Sequence, residues 1–308
     1  MPLLVLQFDV TSELHGRRID VFLERHLRNY TRWRIQRLIA AGVASVNGEP
    51  ALLARRVFAD DRVAVRLTEP PDKLYAPEGG SIPIIFEDDS LMVINKPAGV
   101  IAHPVGERQA GTLCNFLQRH LDEQTDVRGL LRPGIVHRLD RMTSGLMVVS
   151  KTYEAHRSLT DQFESRSVRK LYLAHVRGRQ LQRSGQINRP IGRHGSGTTI
   201  LMSCAASAID PRPAVTRFRV VAHPSSQTTL VACVPRTGRN HQIRVHLASI
   251  GHPLVGEPFY RPGDEVIPKD MADSDRPLGL HAAVLQFTHP ADNRPMRFKS
   301  RPVFNEPT

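Results

Sequence analysis

The sequence predicts an α+β fold in two parts, and three observations carry that prediction. Short apolar runs of strand character recur without helices regularly between them, a stretch rich in Pro, Gly and charge follows residue 67, and 308 residues suit about two domains. A doubly wound parallel sheet would need a helix between most successive strands, and the sequence does not supply them.

Taken in order, the N-terminus MPLLVLQFDV has no basic start and no long apolar core, and no stretch of the chain approaches eighteen uninterrupted apolar residues. Neither a secretion signal nor a membrane span is predicted. From Arg17 to Leu67 the chain reads as a small module. RRIDVFLERHL and TRWRIQRLIAAG are two short helices; in the second, Thr31 caps the start, Ile35, Leu38 and Ile39 form an apolar stripe, and Gly42 ends it. Asn47-Gly48 marks a tight hairpin, and RVAVRL alternates as a half-buried strand. The expected boundaries are a first domain over 1–70, a linker over 71–82 (overlapping TEPPDKLYAPEGGS, 68–81) and a second domain over 83–308. In the second domain SIPIIFEDD, SLMVINKP, GLMVVSK, KLYLAHV, TRFRVVAHP and TTLVACVP read as strands. GTLCNFLQRHLDE and HQIRVHLASIG read as helices, the latter from Ile243, Leu247 and Ile250 at i, i+4, i+7 with Gly251 and Pro253 as its stop.

Charge adds a partner class. Lys plus Arg number 42 against 30 Asp plus Glu, and only six of the basic residues are lysine. An excess of arginine favours polyanions such as nucleic acid, although a bias in codon usage would give the same count. Seven arginines lie between Arg17 and Arg37, among them Arg18, Arg32, Arg34 and Arg37; they form either a nucleic-acid-binding face or a solvated helix surface. Cys114, Cys204 and Cys233 are far apart, odd in number and outside any ligand spacing, which points to a reduced, cytoplasmic setting and to no metal. No Walker loop, HExxH, nucleophile elbow or dinucleotide fingerprint is present, so no nucleotide cofactor is expected.

One constellation stands out, PGIVHRLDRMTSGLMVVSK. It sets His137, Arg138, Asp140 and Arg141 in a loop directly before a buried strand, where sites tend to sit. On spacing alone, a surface Asp-Arg pair is as good a reading. HRLDRMTSGLMVVSK, with INKPAGVIAHP, KLYLAHV, TGRNHQIRVHLASIGHPLVGE and LGLHAAVLQFTHP, resembles the RluA-type pseudouridine synthases over about residues 84–290. The N-terminal module resembles the S-four-like RNA-binding domain that many of these enzymes carry.

The resemblance implies a mixed, mainly antiparallel catalytic sheet and isomerisation of uridine in RNA, without any cofactor. It places the essential carboxylate on Asp140, as nucleophile at the anomeric carbon or base at the neighbouring ribose carbon. It places the stacking tyrosine on Tyr172 and the basic partner on Arg244, residues whose bland alternatives are strand packing and a helix surface. Arg138, with His137 beside it, would fill the place of the extruded base, and Arg239 would contact phosphate. Asn240 stands where the family often has Thr, and either can cap a helix. RNA is the expected partner, large-subunit ribosomal RNA first and transfer RNA second, and the protein is expected to be a monomer away from membranes.

Overall fold

Alternating burial in Leu4–Asp9 and Arg62–Leu67 gives two half-buried strands that pair antiparallel, Leu4 opposite Leu67, and anchor the first unit of the chain. The computed structural model describes residues 4–68, 75–104, 110–125, 129–179, 182–195, 201–267, 277–302 and 304. It divides into two compact units: one of residues 1–81, 103–134 and 150–156, the other of residues 82–102, 135–149 and 157–308.

The first unit contains β1 (Leu4–Asp9), β2 (Arg17–Arg18), β3 (Ala44–Val46), β4 (Glu49–Pro50), β5 (Arg56–Val57) and β6 (Arg62–Leu67), with α1 (Ile19–His26), α2 (Arg32–Ala40) and α3 (Leu113–Asp122). Its four-stranded sheet runs β1-β6-β3-β4, and Phe22, Leu23, Ile35, Leu38 and Val63 fill the core beside it. Thr31 accepts a hydrogen bond from Arg34 N at 3.3 Å and caps α2, a contact worth about 1 kcal/mol. Asn47 and Gly48 turn the hairpin with φ of 52° and 86°.

Two features go beyond the sequence reading. The N-terminal segment is a sheet strand, visible in hindsight as the alternation of LVLQFD. The described part of the expected linker is bonded to α3 and to the turn before it: Asn115 Nδ2 donates to Ala76 O at 2.8 Å, and Gly111 N donates to Glu78 at 2.7 Å. Pro and Gly there shape a docked strap, which composition cannot distinguish from a loose tether. Residues 69–74 of that segment, and residues 196–200, lie outside the described residues.

The second unit is built on a ten-stranded sheet of β7 (Ile84–Glu87), β8 (Leu91–Lys96), β9 (Gly134–Ile135), β10 (Ser144–Ser150), β11 (Arg169–Arg177), β12 (Ser184–Asn188), β16 (Val215–Ala222), β17 (Thr228–Pro235), β18 (Leu280–Thr288) and β19 (Pro295–Lys299). β13 (Ile191–Arg193), β14 (Met202–Ser203) and β15 (Ile209–Arg212) form a small separate sheet; α4 spans Tyr153–Glu164 and α5 Gln242–Ser249. The main path runs β12-β16-β17-β11-β18-β10-β8-β7; β12-β16, β16-β17, β17-β11, β11-β18 and β8-β7 are antiparallel, and β10 meets β18 in parallel. This is the mixed, mainly antiparallel α+β sheet that the sequence predicts.

The parallel contact needs a glycine. Gly145 lies opposite Ala282 at φ of 119°, and a Cβ there would come within 2.4 Å of the Ala282 backbone nitrogen. Such close approach sets the strand directly after the HRLDR loop deep in the sheet, where Leu146 to Val149 are all buried.

Candidate active site

Three segments line one cavity of about 340 Å³ in the second unit: the 137–143 loop before β10, the start of β11, and the turn leading into α5. The cavity brings together Asp140, Tyr172, Arg244, Arg138, His137 and Arg239. Arg17, Arg18, Arg32, Arg34 and Arg37 belong to the first unit.

Backbone contacts hold the loop. Lys96, fully buried at the end of β8, donates from Nζ to the carbonyls of Pro97 (2.9 Å), Val100 (2.9 Å) and Arg141 (3.0 Å). Gly99 N also donates to Arg141 O, at 2.8 Å. The INKPAGV segment therefore clips the carbonyl next to Asp140. Three acceptors need all three N–H groups of the ammonium, whereas burial pulls Lys96 down to about 7 and the Asp140 carboxylate pushes it up. His137 Nε2 accepts from Val148 N at 3.0 Å, and its ring stacks on Phe163 with centroids 4.4 Å apart. Burial, helped by the nearby Lys170 charge, pulls His137 down to about 3, so it is neutral and fixes the loop to β10.

The turn before α5 is organised by Gln242. Its Oε1 accepts from Arg239 N at 3.0 Å and from the Thr237 hydroxyl at 2.7 Å; its Nε2 donates to Val215 O and to Thr216, each at 3.0 Å. Asn240 does not cap the helix. His241 occupies the cap position in a left-handed conformation, and Asn240 Oδ1 instead accepts from Arg138 Nη2 at 2.8 Å. Arg239 Nε donates to Pro213 O at 3.1 Å.

Arg244 is not a helix-surface residue: its side chain is only 4% exposed. Nη1 donates to Asp140 Oδ2 at 3.2 Å, while Nε and Nη2 make a two-pronged pair with Glu257 at 3.0 and 2.8 Å. Its guanidinium carbon also lies 5.5 and 5.2 Å from the ring centroids of Phe259 and Tyr260. Asp140 keeps 28% of its side chain accessible and so faces the cavity. Burial pushes its carboxyl up, but His241 when charged, Arg244 and Arg138 outweigh that and hold it below the ordinary carboxylate range. It is a carboxylate at any physiological pH.

Tyr172 is buried on β11 opposite Cys233 and Ala282, on the strand face that also buries Ala174 and Val176. Burial and the Asp140 charge raise its phenol, so it is neutral in the cavity. His241 Nε2 lies 3.9 Å from Asp140 Oδ2, and its Nδ1 bonds the Tyr260 hydroxyl. That hydroxyl also accepts from Met202 N at 3.2 Å. Burial and Arg244 pull His241 down to about 4.

Sequence reasoning singled out neither Glu257, Gln242 nor Lys96. All three lie inside the quoted motifs, yet single residues in GHPLVGE, HQIR and INKP carry no periodicity that gives them a role.

An ionised, accessible carboxylate locked to a buried arginine, beside a neutral aromatic wall and further arginines, has the chemistry to serve as a nucleophile or a base toward an anionic substrate. The family described as RNA pseudouridylate synthase matches residues 90–249. The chain is 38% identical over 298 residues to the ribosomal large subunit pseudouridine synthase D of Nitrosomonas europaea, covering 96% of this chain and 84% of that one. It is 36% identical over 296 residues to an RNA pseudouridine synthase of Bacillus subtilis, covering 96% and 94%. Among solved structures, human RNA pseudouridylate synthase domain containing 1 is similar with a TM-score of 0.57 and 28% identity, over 73% of this chain and 86% of that one. The chain belongs to the RNA pseudouridylate synthase family, and it is an isomerase that converts uridine in RNA to pseudouridine.

Proposed function

We propose that this isomerase acts on uridines of large-subunit ribosomal RNA, with Asp140 as its catalytic carboxylate. The observation that carries the assignment is the Asp140–Arg244 pair, whose carboxylate is open to a cavity walled by Tyr172. The bond from C1′ to N1 breaks, the uracil turns, and C1′ bonds to C5; C5 gives up its proton and N1 gains one. Asp140 serves as nucleophile at C1′ or as base at C2′, and both roles need the ionised form that its neighbours enforce. Tyr172 stacks on the uracil, Arg244 orients the carboxylate, and Arg138 takes the position of the extruded base at the cavity mouth, with His137 behind it and Arg239 on phosphate. Extrusion costs a few kcal/mol, which these contacts offset. The choice of RNA rests on relatives such as those of Nitrosomonas europaea and Pseudomonas aeruginosa, named for the ribosomal large subunit. The N-terminal unit, with helices and hairpin of S-four-like order, supplies RNA affinity.

RNA tritiated at uracil C5 tests the assignment. Wild type should release tritium to water; Asp140→Asn should release none while still binding RNA. Release by the Asn variant would remove Asp140 from the chemistry. Mapping pseudouridine in ribosomal and transfer RNA from cells with and without the gene decides the substrate.

A further inference from the structure

The cavity has two electrically different walls. On one, Asp140 is matched by Arg244, and Arg244 in turn by Glu257. On the other stands Lys170, half-buried, its Nζ 5.5 Å from the Phe163 ring centroid. Among the described residues it has neither a carboxylate within ion-pair distance nor a hydrogen-bond acceptor. Its neighbour His137 offers no lone pair, because Nε2 is taken by Val148 N and Nδ1 therefore carries the proton. An ammonium stripped of part of its water, with only an aromatic face in return, is left short of an anion. Two more deeply buried cations are not in that position: Lys96 has three carbonyls and Arg244 has two carboxylates.

We infer that Lys170 is the subsite for a backbone phosphodiester adjoining the target uridine. The inference rests on the proposed function and names a contact within it. Lys170 stands two residues before Tyr172 on β11, roughly 7 Å along the strand, and both side chains line the cavity. A uridine stacked on Tyr172 with its ribose at Asp140 brings a phosphodiester on either side of that ribose. Each carries the permanent full charge that a compact ammonium needs, whereas a uracil carbonyl offers only a partial one. Burial holds the Lys170 ammonium below its ordinary value, and a phosphate beside it would reverse that.

The test uses the full-length protein and a synthetic stem-loop containing a uridine that wild type converts. Three versions of the RNA are compared: unmodified, and with a neutral methylphosphonate immediately 5′ or 3′ of that uridine. Affinity is read by fluorescence anisotropy across a salt series, and conversion by single-turnover tritium release. Lys170→Met should weaken binding about tenfold or more and lower the salt slope by about one, and Lys170→Arg should restore most of the affinity. One methylphosphonate should weaken wild-type binding by a similar factor and leave Lys170→Met unaffected. If both methylphosphonates bind wild type as well as unmodified RNA does, the inference is overturned; that arm needs no variant, so misfolding of Lys170→Met leaves it decisive. It is equally overturned if Lys170→Met slows conversion at unchanged affinity, because the ammonium then acts on the departing uracil. Failure of wild type to convert any uridine would instead sink the proposed function.

Discussion

Glu257 holds Arg244 by two parallel hydrogen bonds, leaving a single N–H of the guanidinium directed at Asp140. Glu257 is itself fixed: its Oε1 accepts from Phe259 N at 3.1 Å, and it follows Gly256, whose φ of 76° and lack of Cβ let the chain pass so close to Pro277 that a Cβ would lie 2.3 Å from its carbonyl oxygen. The side chains of Glu257 and Arg244 are 1% and 4% exposed, so this is a buried ion pair whose third member, Asp140, is the only one open to substrate.

Glu257→Gln should therefore damage the site without touching substrate. It removes one charge from a buried pair and should cost about 3 kcal/mol of stability. The Asp140 geometry loosens with it, and single-turnover conversion should fall by roughly tenfold or more at nearly unchanged RNA affinity. Thermal melts and single-turnover tritium release check both; a variant with wild-type turnover would show that Arg244 needs no anchor.

Lys96 makes a second, separate prediction. Lys96→Met keeps the stem of the side chain but leaves the carbonyls of Pro97 and Val100 without that donor, and Arg141 O with Gly99 N alone. Unsatisfied buried carbonyls cost about 1–3 kcal/mol each, so the variant should melt well below wild type. If the clip positions the loop, turnover measured at a temperature where the variant is folded should still be reduced. Lys96→Arg should not rescue, since a planar fork cannot meet three carbonyls arranged around one nitrogen.

The fold was legible in the sequence wherever period or turn chemistry was strong. The Thr31 cap, the Asn47-Gly48 hairpin, the buried run after Gly145 and the helix from Gln242 all follow from local rules. What stayed hidden depends on distant partners. Asn240 has the right chemistry to cap a helix, yet its oxygen is used by Arg138, 102 residues away in sequence. The charge run of Arg17–Arg37 hid a similar exchange, because Asp20, one of two acids among seven arginines, is wholly buried and binds two of them. Motif order singled out Asp140, Tyr172 and Arg244, which line one cavity; only the folded chain shows that Glu257 and Lys96 hold two of the segments involved.

The pH dependence separates chemistry from stability. Asp140 lies below the ordinary carboxylate range, so its ionisation gives conversion no acid limb between about pH 5 and 8. Stability should behave otherwise. His241 is pulled to about 4 and His137 to about 3, so between those values and the unfolded value near 6.5 the unfolded chain binds more protons than the folded one. Stability then rises with pH across that window and is lost as pH falls through it, by up to about 3 kcal/mol for His241 alone once pH drops below 4. Urea melts from pH 4.5 to 7.5 should show this slope, and His241→Gln should flatten it by up to one proton; an unchanged slope would mean that His241 is not buried neutral.

The arginines of the N-terminal unit divide into two groups with different expected losses. Arg18 donates to Asp20 at 3.1 Å through both Nε and Nη2; Arg32 reaches the same carboxylate at 3.2 and 3.1 Å, and Gln36 at 2.9 Å. Burial pushes the Asp20 carboxyl up, but these donors outweigh it and hold it below its ordinary value. Asp20 is thus the joint between α1 and α2, and Asp20→Ala should lower stability by about 2 kcal/mol, with RNA affinity falling only as folding does. Arg37 is placed differently: its guanidinium lies 4.8 Å from the ring centroid of Trp33, whose side chain is 60% exposed. An exposed aromatic paired with a guanidinium is a stacking surface for unpaired bases, where loss of one partner costs about 1–3 kcal/mol. Trp33→Ala and Arg37→Ala should each weaken RNA binding by roughly fivefold or more with the melting temperature unchanged. If both variants bind as wild type does while Asp20→Ala alone loses affinity, the face of α2 carries no RNA and its charge is only solvated.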